Sequence, residues 1–262
     1  MPHAAEHSCE CGRNGRSRRI FPRGRPDSIT AAKLEAAREA GVTRISINPQ
    51  TMNNDTLELI GRRHTAEETE RAFFLARTAG FCNINMDVIA GLPGESPEDF
   101  AETLNRITGL RPDALTVHTL SVKRAADLKR DARAAMLRHD VTGKMLSLSR
   151  IAAREMGMIP FYMYRQKNML GNHENVSYCR PGCESPYNIH IMEEDQTIFA
   201  FGAGGVSKLS VPGPNAEHNI LRSFNVKSVE DYLARSGEMA ERKLRLLSAS
   251  PDGRDLTGAF SL

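Results

Sequence analysis

The sequence predicts an α/β protein: a parallel sheet built from βα units, followed by a smaller C-terminal α+β domain. Two observations predict it. From Gly24 onward, apolar strand-like runs alternate with amphipathic stretches that carry helix caps, the mark of βα units rather than of separate all-α or all-β pieces. Three such runs, spaced by two helical stretches, fall between Val42 and Leu120, and connections this short favour parallel neighbours with right-handed crossovers.

The elements follow in order. Thr30 caps a helix expected to reach Ala40, Gly41 supplies a left-handed exit, and a strand from Val42 to Asn48 is stopped by Pro49. Thr65, with Glu68 three positions on, forms a capping box for a helix through Phe73, Phe74 and Ala76 to Gly80. A strand from Cys82 to Ile89 comes next; Gly91, Pro93 and Gly94 then force a loop, and Ser96 with Pro97 opens a helix to Leu110. The third strand is Ala114 to Leu120. A helical stretch from Arg124 to Met156, broken near Asp140 to Gly143, leads to an aromatic run of Phe161, Tyr162 and Tyr164, where the repeat ends. Beyond lie a Gly-, Asn- and Pro-rich stretch from Gly171 to Pro186, a strand-like run from Thr197 to Phe201, a glycine turn and a helix from Ser228 to Leu246. The expected domains are 24–160 for the sheet and its helices and 161–247 for the appended domain. Residues 1–23 read as disordered or aberrant, and 248–262 as a tail.

Composition narrows the function classes. The chain has 262 residues, enough for a core of its own and close to one α/β barrel or two small domains. Its 35 Lys and Arg against 32 Asp and Glu give a net charge of +3, and the excess sits in one run from Arg13 to Arg25. A nearly neutral body argues against a nucleic-acid surface. No apolar run is long enough to span a bilayer, and the first residues lack the apolar core of a signal peptide, so a cytoplasmic protein without a membrane span is expected. The five cysteines, Cys9, Cys11, Cys82, Cys179 and Cys183, are odd in number and scattered, so reduced thiols are expected. Neither CEC at Cys9 nor CxxxC at Cys179 offers the three or four clustered thiolates of an iron-sulfur or structural zinc site, and no metal is expected.

Ligands of parallel βα folds lie at the carboxyl ends of the strands. There the sequence is polar: Asn48 and Gln50 on the first strand, Asn85 and Asp87 on the second, His118 and Thr119 on the third. Asp87, between Met86 and Val88 in a buried strand, needs a hydrogen-bonded partner or a ligand to offset its desolvation. A strand residue turned toward a helix cap satisfies the same pattern. The GAGGVS string from Gly202 to Ser207 reads as a tight turn before a cofactor loop, because it lacks the full dinucleotide fingerprint. His64, His118 and His190 have no paired ligand spacing and read as surface or satisfied core groups.

The strings RISINPQTMN, LIGRRHT, NINMDVIAGLPGESPEDF, LTVHTLSVKRA, YRQKNMLGN, ENVSY and YNIHIMEEDQT, in that order from about Gly24 to about Lys243, are similar to the coproporphyrinogen dehydrogenase-like branch of the radical S-adenosylmethionine superfamily. The branch is that of oxygen-independent coproporphyrinogen III oxidase-like proteins. The resemblance implies a partial (β/α) barrel of the radical SAM type, here lacking its first strands, with a C-terminal domain. It implies S-adenosylmethionine held by Gln50, Arg62 and Asp87, with Ile89 offering backbone to the adenine and Ser121 a further backbone contact. In that family a four-iron four-sulfur cluster reduces the cofactor, and propionates of a tetrapyrrole are oxidatively decarboxylated to vinyls in porphyrin and haem biosynthesis. The family's CxxxCxxC loop and the glycine-rich segment after it find no match here, and Pro22 stands where a glutamate is expected before GRP. The expectation is therefore a truncated or frame-shifted sequence without the cluster ligands, inactive as an oxidoreductase, and a monomer. A tetrapyrrole is the implied small-molecule partner, with Arg165, Lys167 and Lys208 as cationic partners for propionates by charge alone. Two other readings stand beside it. Haem chaperones of the superfamily carry HNxxY, and here Glu174, Asn175, Val176, Ser177 and Tyr178 occupy that string, with His173 shifted by one. A non-functional fragment would expose an unpaired sheet edge.

Overall fold

The computed structural model describes residues 23–120, 139–165, 173–212 and 218–248. Two compact units divide the chain, Met1–Glu184 and Ser185–Leu262. The expectations for residues 1–22 and 249–262, for Ser121 and for Lys167 fall outside the described residues.

The first unit is a six-stranded sheet. Its strands are β1 (Arg23–Gly24), β2 (Arg44–Gln50), β3 (Asn83–Ala90), β4 (Ala114–Thr119), β5 (Ile159–Tyr164) and β6 (Asn175–Cys179), in the order β1-β2-β3-β4-β6-β5. The first four run parallel; β6 is antiparallel to both β4 and β5. The helices are α1 (Ala31–Glu39), α2 (Asn54–Leu59), α3 (Ala66–Thr78), α4 (Pro97–Leu110) and α5 (His139–Glu155). This is the mixed α/β fold with a parallel sheet that the sequence predicts.

Local chemistry fixes the helix starts. Thr65 Oγ1 accepts from the Glu68 N–H at 3.2 Å while the Glu68 carboxylate accepts from the Thr65 N–H at 2.9 Å. Ser96 and Asp99 form a second capping box with Pro97 at the first helical position, and each box satisfies two otherwise unpaired backbone donors. The buried stripes, Ala72, Phe73 and Ala76 on α3 and Phe100, Leu104 and Ile107 on α4, recur at helical spacing. They belong to one core with Ile45, Ile47, Ile84, Met86, Val88, Leu115 and Val117 from the strands. Each Phe, Leu, Ile, Val or Met among them contributes about 1.5–3 kcal/mol on burial.

Several elements depart from the sequence reading. Pro49 does not stop β2: the register slips between Ile47 and Gln50, and this irregularity accommodates a residue that has no N–H to offer the ladder. Asp140 to Gly143 lie inside α5 rather than at a break. A Cβ on Gly143 would stand 3.6 Å from Cε1 of His173, an ordinary van der Waals contact. The Gly-, Asn- and Pro-rich stretch contains β6, which pairs on both sides. The aromatic run forms β5, so the first sheet continues past residue 160 and the units divide at Glu184 and Ser185.

The second unit holds α6 (Pro186–Glu193), a hairpin of β7 (Val206–Pro212) and β8 (His218–Phe224), and the helices α7 (Val229–Ala234) and α8 (Ser236–Ser248). The run from Thr197 to Phe201 makes a single bridge, Ile198 to Lys208, instead of a strand. The last helix is interrupted at Arg235, just before Ser236 and Gly237, because a serine-glycine pair propagates a helix poorly. Among the described residues, no helix is long and apolar enough to cross a membrane.

Candidate functional site: a polar sheet face and its carboxyl end

Side chains alternate across the sheet. Along β3, Ile84, Met86, Val88 and Ala90 are fully buried in the helix-covered core, which leaves Asn83, Asn85, Asp87 and Ile89 on the opposite face. Parallel pairing sets Ser46 beside Asn85, Asp87 beside Thr116 and Ile89 beside His118. Thr116 in turn stands opposite Ser177.

These side chains form one hydrogen-bonded seam across four strands. The Asn85 amide donates to Ser46 Oγ at 2.8 Å and to Asp87 Oδ1 at 2.6 Å, and its own oxygen accepts from Thr116 Oγ1 at 3.0 Å. Ser177 donates to Thr116 at 3.1 Å and Ser46 to Asn48 at 2.8 Å. Asp87 is only 3% exposed, and the partner the sequence required of it is this amide on its own strand rather than a helix cap. His118 Nε2 stands 3.8 Å from Asp87 Oδ2.

The two ends of the seam differ. At the amino ends of the strands, buried Arg44 donates to the Cys183 carbonyl, and Asp113 accepts from the Ile84 N–H at 2.9 Å while pairing with Arg77 at 2.7 Å. Burial pushes the Cys179 thiol up to about 12 and raises Cys183 as well. Both are therefore protonated, unreactive thiols that close this end. Cys82 stands immediately before β3.

At the carboxyl ends stand the residues singled out above. Gln50 closes β2 in a left-handed conformation, φ 73°, with Val88 as its register partner on β3. Arg62 lies half-buried in the turn after α2. That turn is anchored to the end of β2 by His64, whose Nε2 donates to the Pro49 carbonyl at 3.0 Å. Asp87, Ile89 and His118 share the end of the seam, so Gln50 and Asp87 sit at the same end of adjacent strands and the Arg62 turn is tied to it. Thr119 leaves the site: its N–H and hydroxyl donate to Asn175 and to the Glu174 carbonyl, fastening β4 to β6.

One acid escaped sequence reasoning. Glu95, in the loop after β3, is buried, accepts from Thr51 Oγ1 at 2.5 Å, and has Oε2 without a partner among the described residues. Burial pushes its carboxyl up to about 7, with Asp99 adding to the rise. Thr51 also meets Thr103 at 3.1 Å, so this acid knits the loops that follow β2 and β3. Nothing local in GLPGES marks it as buried. Ser46 and Thr116 were traceable, because each is a small polar residue at every-second-position spacing in an apolar strand, whereas Ser177 sits on β6, a strand the sequence does not announce.

The remaining expectations resolve individually. Tyr178 of the ENVSY string is buried on the helix-covered face, where burial raises its phenol. His173 lines a cavity of about 650 Å³ with Pro97, Glu98, Lys144 and Ser147. Arg165 pairs with Glu174 at 2.8 Å. Lys208 pairs with Glu194 at 2.7 Å. The GAGGVS string is a turn clamped by Asn225, which donates to the Gly202 carbonyl at 2.7 Å.

Comparison with known proteins places this geometry. The Radical SAM superfamily profile matches residues 10–107, reaching upstream of Gly24. The oxygen-independent coproporphyrinogen-III oxidase-like protein HemZ of Bacillus subtilis is 43% identical over 86% of this chain and 44% of its own length. The heme chaperone HemW of the same organism is 29% identical over 79% of this chain and 50% of its own. Coproporphyrinogen III oxidase HemN from Escherichia coli, described as a radical SAM enzyme, superposes with a TM-score of 0.60 at 20% identity, over 84% of this chain and 49% of that one. The chain spans about half the length of the curated relatives it matches.

Proposed function

The chain belongs to the radical SAM family shared by coproporphyrinogen III oxidases, their HemZ-like relatives and the HemW haem chaperones, and from that premise we propose that its first unit binds S-adenosylmethionine at the carboxyl ends of β2, β3 and β4. The observation that carries the reading is Asp87, a buried carboxylate held by Asn85 at 2.6 Å where parallel βα folds present ligands. Asp87 accepts hydrogen bonds from the ribose hydroxyls. Gln50 and Arg62 donate to the sugar and to the methionine carboxylate, the guanidinium matching a carboxylate in shape and charge. Ile89 offers backbone and an apolar edge to the adenine. The radical chemistry is the bound cofactor's own, and these side chains bind and orient it.

Among the described residues, the donor set fits the nucleoside and not an iron-sulfur cluster. Cys82, Cys179 and Cys183 stand at the amino ends of the strands, away from Gln50 and Asp87, and Cys179 is held protonated by burial. For the whole protein we propose a cytoplasmic oxidoreductase that decarboxylates tetrapyrrole propionates, supported by the 43% identity to HemZ. Haem delivery is the second reading, favoured by the likeness to HemW and by His173 beside the ENVSY string.

Calorimetric titration with S-adenosylmethionine tests the site. Binding that weakens tenfold or more in Asp87→Asn supports it, and equal affinity in the variant contradicts it. Titration with haemin tests the second reading: a Soret band lost in His173→Ala supports haem delivery, and its absence in the unaltered protein removes it.

A further inference from the structure

We propose that His118 is a ligand-contacting residue of this site, which with Asp87 grips a single ribose hydroxyl. The inference rests on the reading of the site as one for S-adenosylmethionine and adds a residue that the resemblance does not assign.

The two side chains are close enough to share one hydroxyl placed beside them. His118 Nε2 and Asp87 Oδ2 are 3.8 Å apart, beyond the roughly 2.7–3.2 Å of a direct hydrogen bond. An oxygen lying to one side of the pair can stand about 2.8 Å from each. Among the polar groups of the nucleoside, only a hydroxyl both donates and accepts from one atom. It gives its proton to the Asp87 carboxylate and accepts from His118 in the Nε2-protonated tautomer. The other oxygen of Asp87 receives the Asn85 amide, which fixes the orientation of the carboxylate.

Position supports the same assignment. His118 is the register partner of Ile89, the residue expected beside the adenine, so the imidazole lies between the base and sugar subsites. Its side chain is 24% exposed where that of Asp87 is 4%, making His118 the member of the pair that an arriving ligand meets. The strand end is held from the other side, since Thr119 is bonded to Asn175 and to the Glu174 carbonyl.

The test is a ligand-and-protein cycle by calorimetry on the full chain, with S-adenosylmethionine and its 2′-deoxy and 3′-deoxy analogues. The unaltered protein is expected to lose about tenfold in affinity for one analogue and little for the other, the value of one good hydrogen bond. His118→Phe is expected to bind S-adenosylmethionine about tenfold more weakly and to lose that discrimination. His118→Gln, which keeps an N–H donor, is expected to retain it. Discrimination in His118→Phe equal to that of the unaltered protein overturns the inference while leaving the site standing, provided Asp87→Asn still loses binding. Failure of the unaltered protein to bind S-adenosylmethionine overturns the site itself, and the inference with it.

Discussion

Glu95 makes the fold's stability depend on pH in a direction opposite to that of most carboxylates. Its value rises from the ordinary 4.5 to about 7 because burial penalises the charged form, and Oε2 lacks a partner among the described residues. The folded protein thus holds this proton more tightly than the unfolded chain. Stability from this group is fully present below pH 4.5, declines as pH rises toward 7 and is lost above it. The whole difference is worth about 3 kcal/mol, at ~1.4 kcal/mol for each tenfold change in proton affinity. Glu95→Gln removes the titration while keeping an oxygen to accept from Thr51. Urea unfolding of both proteins from pH 4.5 to 8 should give near-equal stabilities at the acid end and a variant more stable by about 2–3 kcal/mol at pH 8. A gap between the two that stays constant across the range would refute the assignment of Glu95 as a neutral buried acid.

Other expected outcomes test separate parts of the structure. Phe100→Ala, at a fully buried position on α4, should cost about 3–5 kcal/mol in urea unfolding. Thr65→Ala removes one half of a capping box and should cost about 1 kcal/mol by the same measurement. Arg77→Ala strips the 2.7 Å partner from buried Asp113, leaving Arg180 at 3.7 Å, and should cost about 2–4 kcal/mol, with a loss that shrinks in the Asp113→Asn background because the under-compensated charge is gone.

The parallel half of the fold was legible because local chemistry and burial agree there. Thr65 with Glu68, and Ser96 with Pro97 and Asp99, announce helix starts that the backbone honours, and the every-second-residue pattern of RISIN and NINMDVIA separates the apolar core face of the sheet from its polar face, although both faces are largely buried. The antiparallel strand β6 was not legible. Asn175–Cys179 sits amid glycine, asparagine and proline, and only pairing with β4 and β5 makes it a strand. Gly143 lies inside α5 even though glycine is a poor helix former. At the site, polar residues on apolar strands pointed to Gln50 and Asp87. The Asn85 amide that holds Asp87, and the burial that neutralises Glu95, are properties of neighbours across strands and loops that no single segment carries.

The central claim is that the carboxyl ends of β2, β3 and β4 hold a nucleoside. Titration of the isotope-labelled protein with S-adenosylmethionine, followed by backbone and imidazole NMR, tests it most directly. The expected result is saturable shifts at Gln50, Arg62, Asp87, Ile89 and His118, with Cys179, Cys183 and the β7–β8 hairpin unmoved. Shifts confined to that hairpin or to the amino ends of the strands, or none at saturating ligand, would contradict it.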